Sequence, residues 1–173
     1  MRLILFCFLT LLSGVAAAAE LRGGVVRQDF QDLWAAPAKQ ERAWGLNAEW
    51  GFDPLGRLLG GDVAPFVGAT WTPARGKVDK AYAGISLEWS FNPAILRLGL
   101  GGVVHNGKVD DPATNGIRRQ FGSRVLFHIP VELGLAVAPG TRLSLYFDHM
   151  SNAGLARLNP GMDSLGIRIG WRL

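Results

Sequence analysis

From Phe121 to Val137 the sequence places an apolar side chain at nearly every second position: Phe121, Val125, Phe127, Ile129, Val131, Leu133, Leu135 and Val137, with Ser123 the exception. The residues between them, Gly122, Arg124, Leu126, His128, Pro130, Glu132, Gly134 and Ala136, are mostly polar or small. A period of two belongs to a β-strand, whose side chains point to opposite faces in turn. The same stripe recurs at Trp44, Leu46, Ala48, Trp50 and Phe52, and again at Ala81, Ala83, Ile85, Leu87, Trp89 and Phe91. Shorter runs follow at Leu96, Leu98, Leu100, at Leu143, Leu145, Phe147, and at Leu165, Ile167, Ile169, Trp171, Leu173, with weaker ones around 21–29 and 62–72. The pattern predicts an all-β chain of eight strands.

Charged residues and glycines interrupt every apolar stretch after residue 19, so none approaches the roughly 18 apolar residues that a membrane helix needs. A soluble barrel would show the same alternation with its apolar face turned inward. Three features favour an eight-stranded antiparallel transmembrane β-barrel: aromatic residues near strand ends, a strand running to the carboxyl terminus, and Arg97, Arg124, Glu132 and Arg142 in the polar register. Leu173 departs from the aromatic residue usual at the end of such barrels. Asn92-Pro93-Ala94, Ala138-Pro139-Gly140 and the longer Asp53–Gly61 are expected as inner turns. The segments 32–42, 72–79, 106–120 and 152–161 are expected as outer loops.

Residues 1–19 carry Arg2, an apolar run and Ala17-Ala18-Ala19, the layout of a secretory signal peptide, so residues 20–173 are expected to form the single barrel domain. The lone cysteine, Cys7, falls in the leader and implies no disulfide. A formal charge of +4, spread along the chain, does not suit nucleic acid binding. No His, Cys or carboxylate cluster has metal-ligand spacing, and no motif implies a cofactor. His105 and His128 fall in the polar register and are read as barrel-interior groups. Arg42, Arg75, Lys77, Lys80, Lys108, Arg118, Arg119 and Arg157 lie in or beside outer loops, where they could meet lipid phosphates or simply be solvated.

The stripe Leu143, Leu145, Phe147 continues to His149 and Ser151, and the last strand, counted back from Leu173, reaches Asp163 in its own apolar register. Strand parity therefore puts an imidazole, a hydroxyl and a carboxylate on the lipid side, near the loop 152–161 that joins the two strands. A histidine beside a serine is the pairing that activates a hydroxyl nucleophile. An interfacial rim could carry the same residues, so the pattern leaves catalysis and ordinary rim polarity both open. Asp148 points to the opposite face.

The segment His149-Met150-Ser151-Asn152-Ala153-Gly154-Leu155, followed by Asn159-Pro160-Gly161, resembles the signature of the outer-membrane lipid A 3-O-deacylases, the PagL family. The likeness extends to Ala81-Tyr82-Ala83-Gly84 and Gly122-Ser123-Arg124-Val125-Leu126-Phe127. It implies an eight-stranded barrel, lipid A of lipopolysaccharide as substrate in the outer leaflet, and a serine-histidine-acid triad on the outer face. Here that triad is Ser151, His149 and Asp163, with aspartate where the family carries glutamate. The resemblance also implies an oxyanion hole from the Asn159 side chain and the Gly154 N–H, and Asn152 either shapes the same loop or simply stabilises the turn. A catalytically silent structural barrel and an acyl transferase stand as alternatives, and the sequence leaves a homodimer open.

Overall fold

The computed structural model describes residues 19–30, 33–35, 41–75, 77–110 and 119–173. The expected leader, up to residue 18, and Arg118 lie outside the described residues. Among the described residues nine strands are formed: β1 (Glu20–Gln28), β2 (Ala43–Gly51), β3 (Gly56–Leu58), β4 (Gly61–Trp71), β5 (Lys80–Ser90), β6 (Ala94–His105), β7 (Val125–Ala138), β8 (Thr141–Ser151) and β9 (Met162–Arg172). All pairings among them are antiparallel, each spanning strand beside its sequence neighbour. β1 pairs with β9, and β2 with β4, so eight strands close into a barrel with no free edge. Closure matters because an unpaired backbone edge has nothing to bond in hydrocarbon.

Two expectations about strand boundaries need correction. The long inner turn at 53–61 contains a strand of its own, β3, which folds back on the start of β4 with Leu58 opposite Gly61. The apolar stripe that begins at Phe121 does not begin a strand there. Gly122 adopts a φ of +74°, which turns Phe121 into the barrel, where it packs against the other buried apolar residues. β7 starts at Val125.

The two faces are inverted relative to a soluble protein. Leu100, Leu145 and Ile167 are 62%, 50% and 56% exposed, whereas Arg97, Glu49 and Arg168 inside are each 1% exposed. An apolar exterior over charged contents is stable only where hydrocarbon replaces water outside. Exposed Trp44 and Trp71 mark the loop end, and Phe91 and Trp171 the turn end, the two aromatic girdles of a membrane barrel.

Inside, the charges are paired. The Glu49 carboxylate meets Arg22 and Arg97 at 2.9 Å and Arg168 at 3.1 Å, while Glu132 meets Arg97 at 3.4 Å and bonds Arg168 as well. Arg142 bridges Glu20 and Glu88 near the turn end. His128 stacks on Tyr82 with centroids 4.3 Å apart, and His105 packs edge-on to Phe121, so both histidines lie inside as their register implied. Lys80, read from sequence as a loop cation, is buried in the lumen. Its Nζ donates to Asp148 Oδ1 at 2.5 Å and Ser164 Oγ at 3.0 Å, because residue 80 opens β5 in the inward register.

Candidate active site

β8 and β9 pair so that His149 and Asp163 are direct cross-strand partners, where side chains on one face of an antiparallel pair come closest. His149 Nδ1 lies 2.7 Å from Asp163 Oδ1. Both belong to the outward register, continuous with Leu145 and Ile167, and Ser151 stands two residues beyond His149 on the same side, at the end of β8. Asp148 is turned into the lumen and held by Lys80. It has no part in orienting His149.

Outward register does not leave the pair bare, for His149 and Asp163 are both buried. Residues 33–35 of the first loop lie over them. The Trp34 ring stacks on the imidazole, centroids 4.6 Å apart and planes 18° from parallel. The Trp34 and Ala35 backbone amides donate to Asp163 Oδ2 at 2.6 and 2.9 Å. One carboxylate oxygen thus holds the ring nitrogen and the other holds the loop. With the carboxylate accepting from Nδ1–H, the tautomer leaves Nε2 as the free acceptor. The sequence reading missed Trp34. Its signal was an apolar pair, Leu33-Trp34, inside a loop otherwise expected to be polar.

The last loop is built around Asn152. Its amide nitrogen donates to the Phe121 and Leu158 carbonyls at 2.9 and 2.6 Å, and its Oδ1 accepts from the Gly154 N–H at 2.9 Å. The Asn152 N–H in turn donates to Asn159 Oδ1 at 3.0 Å. These bonds tie Asn152 to both ends of the loop and to its 152–155 turn. Gly154, expected as an oxyanion donor, gives its N–H to this turn instead. Asn159, with Oδ1 engaged, keeps the two N–H groups of its amide for other partners.

Two further residues fix the loop against the pair. Gly161 has φ +62°, and a Cβ there would stand 3.0 Å from His149 Cε1. Only glycine meets both demands. Arg119 donates to the Pro160 and Gly161 carbonyls at 3.1 and 2.7 Å and pairs with Asp29 at 2.5 Å. Read from sequence as a loop cation that could meet lipid phosphates or simply be solvated, it is 1% exposed and ties the last loop to the end of β1. Arg157 does lie exposed, paired with Asp110 at 2.8 Å.

Two grooves flank the site on the outer surface. One, on the Ser151 side, is lined by Gly102, Val125, Phe127 and Leu155. The other, on the Asp163 side, runs over β1, β2, β8 and β9 past Leu165.

The family model for lipid A 3-O-deacylase (PagL) matches residues 33–172 of the chain. The lipid A deacylase PagL of Bordetella bronchiseptica is 29% identical over 75 residues, which span 43% of this chain and 39% of that protein's length. The crystal structure of the outer membrane enzyme PagL superposes with a TM-score of 0.59 at 17% identity, covering 89% of this chain and 99% of that one. The N-terminal β-barrel domain of Pseudomonas aeruginosa OprF gives 0.59 at 12% identity, covering 90% and 97%. Neisserial surface protein A gives 0.54 at 12%, covering 91% and 98%. At these identities the superpositions speak of the barrel fold alone.

Proposed function

The chain is an outer-membrane β-barrel belonging to the lipid A 3-O-deacylase (PagL) family, and from that premise we propose that it hydrolyses the 3-O-linked acyl ester of lipid A by serine catalysis at the outer leaflet. The observation that supports this mechanism is the 2.7 Å contact between His149 Nδ1 and Asp163 Oδ1, made in the outward register of β8 and β9 beneath residues 33–35.

In this reading Ser151 Oγ attacks the ester carbonyl as His149 Nε2 takes its proton. Asp163 steadies the imidazolium that forms, and the Asn159 amide donates to the developing oxyanion. Collapse breaks the acyl–oxygen bond. His149 returns the proton to the departing sugar oxygen, which leaves as a hydroxyl, and the acyl group stays on Ser151. Water, deprotonated by the same histidine, then attacks the acyl-enzyme, releasing a fatty acid and restoring the serine. The groove of Gly102, Val125, Phe127 and Leu155 would hold the scissile chain, since Phe127 is the cross-strand neighbour of Ser151. Gly154 serves by keeping the 152–155 turn closed.

The test is mass spectrometry of lipid A after incubation with purified, detergent-folded protein. Loss of one 3-hydroxyacyl chain, abolished by Ser151→Ala, supports the proposal. A Ser151→Ala protein that still removes the chain rejects it, as does an inert parent protein. A new acylated acceptor in place of free fatty acid would instead identify a transferase.

A further inference from the structure

Arg27 carries a charge in the apolar register. The outward positions of β1 are Leu21, Gly23, Val25 and Arg27, and its cross-strand partners are Trp44 on β2 and Leu165 on β9. The inward arginines Arg22, Arg97, Arg142 and Arg168 all meet carboxylates. Among the described residues Arg27 meets none, and its guanidinium lies over the Trp44 ring, 5.6 Å from the centroid. An arginine on the lipid face of a barrel costs about 2–4 kcal/mol at mid-depth and less toward the rim, so its place near the loop end is tolerable. It is still a charge looking for an anion.

A second arginine lines the same space. Arg42, immediately before β2, lines with Arg27 a groove of about 460 Å³ floored by Val25, Leu145 and Ile167 and walled by Trp44. Arg42 likewise meets no carboxylate among the described residues. The groove's own acid, Asp29, is already committed, with Oδ1 accepting from Arg119 at 2.5 Å and Oδ2 from the Glu41 N–H at 2.7 Å. Leu165, also in the lining, is the next outward residue of β9 after Asp163, so the groove leads directly to the His149–Asp163 pair.

Two unneutralised guanidiniums above an apolar floor fit an amphiphile whose headgroup carries phosphate. Arginine forks match phosphate oxygens in pairs, and the floor takes a hydrocarbon chain that a soluble phosphate would lack. We propose that this groove is the substrate-holding subsite: Arg27 and Arg42 grip a phosphate of lipid A while one of its retained acyl chains lies along Val25, Leu145 and Ile167. The identity of the lipid rests on the deacylase reading. The phosphate requirement rests on the groove.

The experiment measures binding, so that turnover does not enter. Ser151→Ala protein is titrated with phosphatidylcholine vesicles carrying lipid A or its dephosphorylated form, alone and with Arg27→Gln/Arg42→Gln. The expected result is a loss of about tenfold or more in affinity for lipid A on substitution, a similar loss on dephosphorylation, and no further loss when both are combined. Arg27→Lys/Arg42→Lys should recover part of the binding, and all variants should keep the heat-modifiable gel shift of a folded barrel. Unchanged binding by the glutamine variant, or an equal loss for both lipid forms, would overturn the proposal. Displacement of lipid A by an equal amount of phosphatidylglycerol would overturn it too, reducing the pair to a general anionic-lipid belt. A parent protein that releases no acyl chain sinks the deacylase reading and leaves the binding result as it is.

Discussion

Aspartate is one methylene shorter than the glutamate that the family resemblance implies at residue 163, and its carboxylate nevertheless reaches His149. Direct cross-strand pairing with His149 brings the carboxylate to 2.7 Å without a longer side chain. The second oxygen is occupied as well, by the Trp34 and Ala35 amides, so the carboxylate has no freedom to turn away. Asp163→Asn keeps the volume but sets an amide against N–H donors on one side or the other. We expect kcat to fall about 10⁴-fold, as when an orienting aspartate is lost from a serine triad, while the folded-barrel gel shift persists; a fall under tenfold would argue that Asp163 does not orient the histidine. Asn159→Ala should lower kcat about 10²–10³-fold if its amide meets the oxyanion, with KM little changed. His149, Ser151 and Asp163 could be placed from sequence because strand parity is strict. The engagement of the Gly154 N–H could not be read from sequence, since its acceptor, Asn152 Oδ1, is set by a turn with Ala153 at φ +53° and Gly154 at +80°.

Among the elements, the spanning strands were legible and the loops were not. Eight stripes of period two map onto eight strands because each strand has one face in hydrocarbon and one in the lumen, which imposes alternation residue by residue. Where that constraint ends, the reading fails: Phe121 continues the stripe in sequence yet turns inside after the Gly122 kink, and the 53–61 connection hides β3. The cover formed by residues 33–35 arises from contacts more than a hundred residues apart, which no local pattern encodes. Trp34→Ala should remove the stacking surface on His149 while leaving both backbone amides, so kcat is expected to fall with barrel stability unchanged, read by steady-state kinetics beside thermal unfolding. Gly161→Val faces two obstacles, a φ of +62° and the His149 Cε1 contact. It is expected to reduce activity more than Trp34→Ala and to lower stability by about 1–2 kcal/mol, measured by denaturant titration in detergent.

The whole molecule depends on a charged interior that a soluble reading of the sequence would call a fault. Of the four charged residues grouped in the polar register, Arg97, Glu132 and Arg142 lie inside, whereas Arg124 sits exposed just before β7 and donates to the His105 and Gly107 carbonyls. The central acid, Glu49, was hidden because it lies in the polar register of β2 among small residues and gives no signal of the three arginines converging on it from β1, β6 and β9. Glu49→Gln would leave those guanidiniums short of an acceptor charge in a buried network, a loss of about 3–5 kcal/mol, checked by the midpoint of urea unfolding; a midpoint within error of the parent would mean that the lumen network does not hold the barrel. That core presents β8 and β9 side by side, with Ser151, the proposed nucleophile, at the end of β8. A long-chain alkyl fluorophosphonate, applied to the protein in micelles and followed by peptide mass spectrometry, tests that role most directly. Phosphonylation with loss of fluoride on the peptide containing Ser151, absent from the His149→Ala protein, is the predicted result. Modification of Ser123 or Ser164 instead, or no modification of a protein that is deacylating lipid A, would contradict it.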